Sequence, residues 1–320
     1  MIDRSGYQLK PLPVAAEVHS LDISQINEPE IRSNLYEDWM KHGVLIFRDM
    51  PVSNSQHIEL SRVFGDLELH PLPEIRNDEE PLLMDLGGKK ATRAFVYDGN
   101  KLRVDRIAWH RDTAYTVEIA KGAMLRLVDL PPEGGHTDFC DTAKAYDALS
   151  EKFKSRIDNL EFKATLVLDQ MLMRWGKTWN TLRPATQEEC PGSKHNVPLD
   201  ALARYPAVVH PLVVEHPESG RKCIYISPTY LDEILGLERS ESEELLKTLV
   251  DHTLSAEFCY RHHWHENDLV LWDNRRMIHA ASGYHPKYRR RGLRTTLSGS
   301  LRSGRMYDPD SLKSNAELVD

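Results

Sequence analysis

The first part of the chain combines short apolar segments with two helical patterns. Ile31, Leu35 and Trp39 recur at the spacing of one helix face, and residues 43–47 (GVLIF) form an apolar run of strand length. Residues 53–64 open with a Ser-Asn cap and end before a glycine. The pattern therefore predicts a strand, a helix, a strand and a second helix.

Short β patterns dominate the chain after residue 105. They cover residues 123–129, 160–168, 207–214, 222–227, 268–272 and 291–299. Helical patterns occupy residues 142–158 and 239–258. A repeated β pattern with few helices predicts a barrel or sandwich with helices packed outside it. Residues 66–108 are irregular, as in loops that carry function, and the polar residues 302–320 predict a C-terminal tail.

The composition is that of a globular protein, with 28% charged and 40% hydrophobic residues among 320. The net charge of −8 gives no support for a nucleic-acid partner, although four basic residues cluster at 287–291. No apolar run approaches the ~20 residues of a membrane span, and no signal-peptide pattern opens the chain. Four scattered cysteines without a Cys-x-x-Cys pair are typical of reduced thiols. We therefore expect one domain over residues 1–301, in the cytoplasm, with neither a nucleic-acid nor a membrane partner.

His110 and Asp112 are the first residues that suggest chemistry. They are two apart in the sequence Trp-His-Arg-Asp, and side chains at i and i+2 of a strand lie on one face. An imidazole and a carboxylate would then converge. Pairs of this kind also occur by chance at the surface of a strand, so the spacing alone leaves both interpretations open.

A second group of candidate residues lies closer to the C-terminus. An apolar strand pattern leads into the turn-prone Asp273-Asn274 and then into a strand that ends at His279. Arg290 and Arg294 are four residues apart, so on a strand they share a face, and guanidinium groups pair with carboxylates in a bidentate manner. Two histidines and one carboxylate on one face of a metal are the ligand set of non-haem Fe(II) oxygenases.

Several segments carry a resemblance to a known family. They are WHRD at 109–112, GGHTDFCD at 134–141, AYDAL at 145–149, HPESGRK at 216–222 and EFCYRHHWHENDLVLWDNRRMIH at 257–279. Taken together, the chain resembles the taurine dioxygenase/2,4-D dioxygenase family of Fe(II)- and 2-oxoglutarate-dependent oxygenases, from about residue 8 to about residue 300. The resemblance implies a β-rich α+β fold with a double-stranded β-helix (jelly-roll) core and flanking helices.

The resemblance also implies the chemistry of the site. His110, Asp112 and His279 would bind Fe(II), and Thr137 and Arg290 would hold the distal carboxylate of the co-substrate 2-oxoglutarate. The implied reaction hydroxylates a small molecule while O2 and 2-oxoglutarate give succinate and CO2. The carboxylate at position 112 argues against halogenation, because iron halogenases of this kind leave that position open for chloride.

The remaining candidates lie around the co-substrate and the substrate. Two further residues, Trp272 and Arg294, are expected beside 2-oxoglutarate, and Arg294 can also meet an anionic substrate. Cations at Arg106 and Arg294 favour a substrate with a carboxylate or sulfonate group. The candidate substrate contacts are His70, Arg106, Thr113 and Arg294.

Three alternatives stay open. A rival metal cluster could form from His262, His263 and His265, because neutral imidazoles bind many metals. Near Thr137, His136 stands where the family usually has an acidic residue. The same site could desaturate or cyclise an amino-acid-derived metabolite, since the outcome depends on which C–H bond is nearest. A β-barrel binding protein that has lost catalysis is the non-enzymatic alternative, and it predicts at least one missing ligand.

Four apolar residues after the strand pattern at 160–168 form a stripe that could take part in self-association. It consists of Met171, Met173, Trp175 and Trp179. Such a stripe is typical of core or of a subunit contact, with a lid over the substrate as the alternative. If exposed, it would favour a homo-oligomer.

Overall fold

The computed structural model describes residues 1–70, 75–87, 93–195, 199–299 and 301–309. It has a mixed α+β architecture rich in sheet, as the β patterns predict. The helices are α1 (Pro29–His42), α2 (Asn54–Ser61), α3 (Thr142–Asp147), α4 (Glu151–Ile157), α5 (Leu199–Arg204) and α6 (Arg239–Thr253). None of the described helices is both long and apolar enough to cross a bilayer.

The described residues also contain twenty-two strands and several short 3-10 helices. In the N-terminal half they are β1 (Ile2–Asp3), β2 (Gln8–Pro11), β3 (Ala16–His19), β4 (Val44–Phe47), β5 (Met84–Leu86), β6 (Ala94–Tyr97), β7 (Lys101–His110), β8 (Glu118–Ile119), β9 (Gly122–Asp129), β10 (Thr137–Asp141) and β11 (Glu161–Ala164). In the C-terminal half they are β12 (Leu182–Pro184), β13 (Val208–Pro211), β14 (Val213–Glu215), β15 (Lys222–Ile224), β16 (Leu231–Ile234), β17 (Cys259–His262), β18 (Leu269–Asp273), β19 (Met277–Tyr284), β20 (Arg291–Leu297), β21 (Leu301–Arg302) and β22 (Arg305–Met306).

Two large sheets dominate the molecule. One has eight strands in the order β1-β2-β3-β4-β18-β9-β20-β5, and the other has six in the order β12-β6-β7-β19-β10-β17. A four-stranded sheet, β16-β11-β13-β22, and the pairs β14-β15 and β21-β8 complete the set. Most strands that pair in the large sheets are far apart in sequence, so these sheets depend on long-range pairing.

The two large sheets pack face to face. One buried cluster joins Val270 and Trp272 of the eight-stranded sheet to Phe139 of the six-stranded sheet. On the outer face of the eight-stranded sheet, Leu269 and Leu271 pack with α1 and α2. Both faces of β18 are therefore buried, which explains its unbroken apolar sequence LVLW.

The outer face of the six-stranded sheet is covered in the same way. Ile278 and Ala280 of β19 share a cluster with α6 and with strands of the smaller sheets. Helix α6 contributes Leu245, Leu246 and Leu249, which have the 3–4 residue spacing of a buried helix face. The large sheets are thus an inner pair between two outer layers.

Most of the predicted elements are present, with shorter boundaries. Helix α2 begins at a capping box in which Ser53 and Gln56 exchange side-chain and backbone hydrogen bonds. The helical pattern over 142–158 corresponds to two helices, α3 and α4. The side chain of Asp141 caps the N-terminus of α3, and that of Ser150 caps the N-terminus of α4. The β pattern over 207–214 is two strands, β13 and β14, which belong to different sheets.

The irregular pattern over 66–108 conceals a β hairpin. Strands β6 and β7 pair across the turn Asp98-Gly99-Asn100, and β7 is ten residues long. Asp105 interrupts the alternation within β7, because its φ of 51° lies in the left-handed region. The turn residues could be recognised in the sequence, but the break in alternation at Asp105 meant that the residues of β7 did not show a strand pattern.

The predicted tail begins with ordered structure. Strand β21 pairs with β8, and β22 pairs with β13, whereas residues 310–320 lie outside the described part of the chain. In the apolar stripe, Met173 and Trp179 are buried within the chain, while Met171 is 45% exposed. Trp175 is partly buried against a second apolar cluster, so three of the four residues of the stripe pack within the chain.

Candidate metal centre and its cavity

Strand pairing brings two histidines together at the centre of the six-stranded sheet. His279 of β19 lies directly opposite His110, the last residue of β7, and Asp112 follows two residues later. Ligand atoms of the three side chains all lie within 4.8 Å of one another, the only such metal-binding group among the described residues. Both histidines are buried.

The donor atoms of this group fit a divalent cation. His110 Nδ1 hydrogen-bonds to the carbonyl of Ala108 at 2.9 Å, so Nδ1 carries the proton and Nε2 keeps its lone pair for the centre. Asp112 Oδ1 lies 3.4 Å from His110 Nε2 and 3.8 Å from His279 Nε2. His279 Nδ1 is buried without a hydrogen-bond partner. Imidazole nitrogen and carboxylate oxygen together suit iron and neighbouring transition metals.

Electrostatics keeps these groups in their ligating forms. Burial lowers the pKa of His279 well below its usual range, and the nearby His110 adds to the effect, so the imidazole is neutral. Burial alone would raise the pKa of Asp112, but the Arg294 guanidinium and the two imidazoles outweigh it, and this pKa lies far below its ordinary value. Asp112 is therefore an ionised carboxylate.

A cavity of about 470 Å³ opens beside the three residues. Its apolar wall includes Ile107 and Trp272, and its polar wall is mainly basic. The residues that line it are Leu86, Gly87, Arg93, Asp105, Arg106, Ile107, His110, Leu125, Thr137, Gln170, Trp272, His279, Ala281, Arg290 and Arg294. Four arginines face two acidic groups, Asp105 in the lining and Asp112 at the metal centre, so the cavity favours anions.

Arg290 lies against the Gly-Gly turn that precedes β10. Its Nε donates to the carbonyl of Gly135 at 3.3 Å, and its burial lowers its pKa. Gly135 has a φ of 69°, and a Cβ there would lie 2.7 Å from Pro131 Cγ and 3.2 Å from Arg290 Cδ. The glycine is therefore needed for the backbone to approach the guanidinium this closely.

The structure places five of the predicted co-substrate and substrate residues in the cavity lining. They are Arg106, Thr137, Trp272, Arg290 and Arg294. Arg294 Nη2 lies 2.9 Å from Asp112 Oδ2, and its guanidinium lies 5.5 Å from the Trp272 ring centroid.

The other two predicted substrate contacts, His70 and Thr113, are not among the described residues that line the cavity. The Thr113 hydroxyl donates to the carbonyl of Asp112 at 2.8 Å and accepts from the amide of Ala120 at 3.1 Å. It shapes the turn after Asp112, a role that its φ of 57° also reflects. The carbonyl of His70 accepts a hydrogen bond from Arg76 Nε at 2.7 Å.

The rival histidine cluster does not assemble. His262 is fully buried and lies 3.3 Å from Asp268, whereas His263 is exposed and faces the ring of His136 at 5.6 Å. Alternation along the strand separates them. Among the described residues these imidazoles form no metal-binding group.

The basic cluster at 287–291 is likewise divided among different partners. Arg289 lies 3.4 Å from Asp129, and Arg291 donates to Asp85. Arg290 between them lines the cavity.

Sequence reasoning missed several residues that support the site. Gln170 donates to the carbonyl of Arg106 at 2.6 Å and accepts from Tyr97, which ties the segment at 170–172 to β7. Arg111, which stands between His110 and Asp112 in the sequence, is fully buried, with its guanidinium 4.7 Å from the Tyr225 ring centroid. The only signal for Arg111 was its position within the His-x-Asp motif.

Comparison with known proteins identifies the family of the chain. A family model described as "Taurine catabolism dioxygenase TauD, TfdA family" matches residues 6–296. An (S)-phenoxypropionate/alpha-ketoglutarate-dioxygenase from Sphingobium herbicidovorans is 32% identical, covering 78% of this chain and 79% of that protein. An alpha-ketoglutarate-dependent 2,4-dichlorophenoxyacetate dioxygenase from Cupriavidus pinatubonensis is also 32% identical, covering 90% of this chain and 95% of that protein.

Solved structures give the same result. A taurine dioxygenase from Burkholderia xenovorans matches with a TM-score of 0.71 and 25% identity, covering 98% of this chain and 99% of that one. AAD-2 in complex with Mn(II) and N-oxalylglycine matches with a TM-score of 0.67 and 25% identity, covering 93% of this chain and 99% of that one. The resemblance inferred from the sequence is confirmed. The chain belongs to the taurine catabolism dioxygenase TauD/TfdA family and is a 2-oxoglutarate-dependent dioxygenase that uses Fe(II) and O2.

Proposed function

We propose that this dioxygenase hydroxylates a small organic acid and that Arg106 binds the acid group. The observation that carries the proposal is the environment of Arg106. Its guanidinium lines the cavity, lies 4.6 Å from the Tyr97 ring centroid and 5.2 Å from that of Trp179, and donates to Thr178. No carboxylate of the described residues lies within ion-pair distance of it.

An arginine held in this way is prepared for an anion. The aromatic rings and Thr178 fix the plane of the guanidinium, so little side-chain entropy is lost when a carboxylate or sulfonate binds. The adjoining apolar wall, which includes Ile107 and Leu125, suits the hydrocarbon body of such an acid. Two relatives are named for phenoxypropionate and 2,4-dichlorophenoxyacetate, and both compounds are aryloxy carboxylates. The comparisons do not favour the biosynthetic tailoring alternative.

His110, Asp112 and His279 are the proposed ligands of Fe(II). When bound, Fe(II) with 2-oxoglutarate and O2 supplies the oxidation of a substrate C–H bond, with succinate and CO2 as co-products. Thr137 and Arg290, which line the cavity, would donate hydrogen bonds to the distal carboxylate of 2-oxoglutarate, and Trp272 would pack beside it. Arg294 orients Asp112, since its guanidinium lies against that carboxylate.

Gln170, which also lines the cavity, holds a neighbouring segment in place. Gln170 fixes the segment that carries Met171 and Leu172 to the strand of Arg106. Those two side chains are 45% and 70% exposed and follow Gln170, which lines the cavity, in the sequence.

An anaerobic titration tests the metal and co-substrate sites without knowledge of the substrate. Fe(II) and 2-oxoglutarate added to the apoprotein should give a visible charge-transfer band, which His279→Ala should abolish and Arg290→Ala should weaken. A folded protein without a band would contradict the proposed ligands.

Turnover with a panel of acids tests the role of Arg106. Succinate formation should couple to carboxylates or sulfonates, and Arg106→Gln should raise their KM by about tenfold or more, as expected for a lost charge-assisted hydrogen bond. Arg103→Gln is the matched control, because Arg103 lies on the same strand but not in the described lining. Coupling to neutral analogues alone would overturn the proposal.

Two further assignments belong to the same proposal. The inner pair of large sheets forms a double-stranded β-helix, which the face-to-face packing around Trp272 and Phe139 supports. We also propose a cytoplasmic location, supported by the free thiols of Cys140, Cys190, Cys223 and Cys259.

A further inference from the structure

Thr137, which lines the cavity, receives a hydrogen bond from the indole of Trp264. Trp264 Nε1 lies 3.1 Å from Thr137 Oγ1. An indole N–H is a donor only, whereas a hydroxyl both donates and accepts. The Thr137 oxygen must therefore accept from Trp264, and its own proton must point to a different acceptor.

That acceptor has to lie in the cavity. Thr137 is 4% exposed and lines the cavity together with Arg290. Among the described residues no carbonyl or carboxylate accepts a hydrogen bond from the Thr137 hydroxyl. Its proton is thus available to a ligand that Arg290 also contacts, and two converging donors suit a carboxylate.

We propose that Trp264 is a positioning residue for 2-oxoglutarate, because it sets the direction of the Thr137 hydroxyl proton. The inference rests on the proposed function, in which Thr137 and Arg290 hold the distal carboxylate. Trp264 itself does not line the cavity and acts only through Thr137. It increases affinity because the Thr137 rotor is ordered before the co-substrate arrives.

The surrounding protein fixes the indole independently of the ligand. Trp264 follows β17 and packs against the apolar cluster between the two large sheets. Its ring meets the buried His262 edge-on, with centroids 4.6 Å apart and planes at 86°. His262 is in turn paired with Thr137 across the strands β17 and β10. The acceptor therefore lies on β10, and the donor lies two residues after the end of the neighbouring strand β17.

The test compares the dissociation constant of 2-oxoglutarate between the Trp264→Phe variant and the wild-type protein. Phenylalanine keeps an aromatic ring in the cluster and removes the N–H. The constant is measured from the charge-transfer absorbance of the Fe(II) protein under nitrogen, where no turnover occurs. We expect an increase of about three- to tenfold, typical of one lost hydrogen bond, with the dissociation constant of Fe(II) unchanged.

A double-mutant cycle separates positioning from packing. The Thr137→Val variant has no hydroxyl to orient. In that background, Trp264→Phe should change the dissociation constant of 2-oxoglutarate by less than about twofold. Trp175→Phe is the matched control, since the Trp175 Nε1 has no hydrogen-bond partner and lies outside the described lining. If Trp264→Phe does not fold, benzothienylalanine at position 264 keeps the indole shape without the N–H.

The outcomes distinguish this inference from the proposed function. An unchanged 2-oxoglutarate constant in Trp264→Phe, or an effect of the same size with and without the Thr137 hydroxyl, would overturn the inference alone. Absence of the band in the wild-type protein would overturn the proposed co-substrate site, and the inference with it.

Discussion

The side chain of Asn274 holds the backbone of Asp112 on both sides. Its Oδ1 accepts from the Asp112 amide at 2.9 Å, and its Nδ2 donates to the Asp112 carbonyl at 3.0 Å. Nδ2 also donates to the carbonyl of Ala120 at 3.0 Å. Asn274 is fully buried, so it fixes the one proposed ligand that does not lie on a strand.

Asn274→Ala should therefore weaken metal binding. Without the amide, the Asp112 backbone loses two hydrogen bonds, and outer partners of this kind typically contribute about 10–100-fold to metal affinity. The measurement is the Mn(II) dissociation constant of the apoprotein. Asn100→Ala, in the exposed turn between β6 and β7, is the control. Equal affinity in the two variants would show that Asp112 keeps its position without Asn274.

The stability of the protein should fall as the pH is lowered from 6.5 to 5, partly because of His57. Burial, assisted by Arg126, lowers the pKa of His57 to about 3, compared with about 6.5 in the unfolded chain. Between these values the unfolded state binds more protons, so unfolding becomes easier as the pH falls. Each unit below 6.5 should cost about 1.4 kcal/mol for this residue.

Urea denaturation of the wild type and of His57→Gln at pH 7 and pH 5 checks this expectation. The variant lacks the titrating imidazole, so its unfolding free energy should change less with pH than that of the wild type. A parallel pH dependence in the two proteins would mean that His57 is not buried in its neutral form.

Asp141→Ala should destabilise the fold by about 3–5 kcal/mol, because it would leave the buried guanidinium of Arg276 without its carboxylate partner. Asp141 and Arg276 are buried and form a two-point ion pair. Asp141 also caps α3 by accepting from the amides of Ala143 and Lys144 at 3.1 and 3.2 Å.

An exposed ion pair provides the control for that variant. Asp147 pairs with Arg221 at the surface, and Asp147→Ala should change the unfolding free energy by about 1 kcal/mol or less. Both values come from urea denaturation at pH 7. Similar losses in the two variants would contradict the importance of the buried pair.

Removal of residues 300–320 should lower both stability and metal affinity. Strand β21 pairs with β8, and the Gly304 amide donates to the carbonyl of Val117 at 3.1 Å. These contacts hold the segment that follows Asp112. We expect a loss of about 2–4 kcal/mol from the missing backbone hydrogen bonds and apolar contacts.

Comparison of two truncated chains isolates this effect. A chain that ends after Gly299 lacks both strand pairs, whereas a chain that ends after Pro309 retains them. Urea denaturation and the Mn(II) dissociation constant are measured for each. Identical values would show that β21 and β22 do not support the site.

Local sequence was sufficient for the family and for most of the elements, although it missed the hairpin of β6 and β7. The apolar run before Asp273-Asn274 is a strand, as the pattern predicts. A strand also carries His279, but it continues to Tyr284 and does not end at the histidine. The i and i+4 spacing of Arg290 and Arg294 also places both side chains in one cavity. Periods of 2 and 3.6 residues are local properties of the chain, so such elements can be predicted from short segments.

Only the tertiary structure decided how the site is completed. His110 and His279 are 169 residues apart in the numbering and become neighbours through one strand register, which no local pattern encodes. Asn274, Trp264 and Arg111 act through hydrogen bonds and packing with residues distant in sequence, so composition and spacing could not identify them. The sequence by itself determined which chemical groups are present. The histidines, the carboxylate and the arginines can be read directly from the chain, together with their spacing. Long-range strand pairing determined which of those groups meet, because distances across a sheet depend on register and not on neighbouring residues.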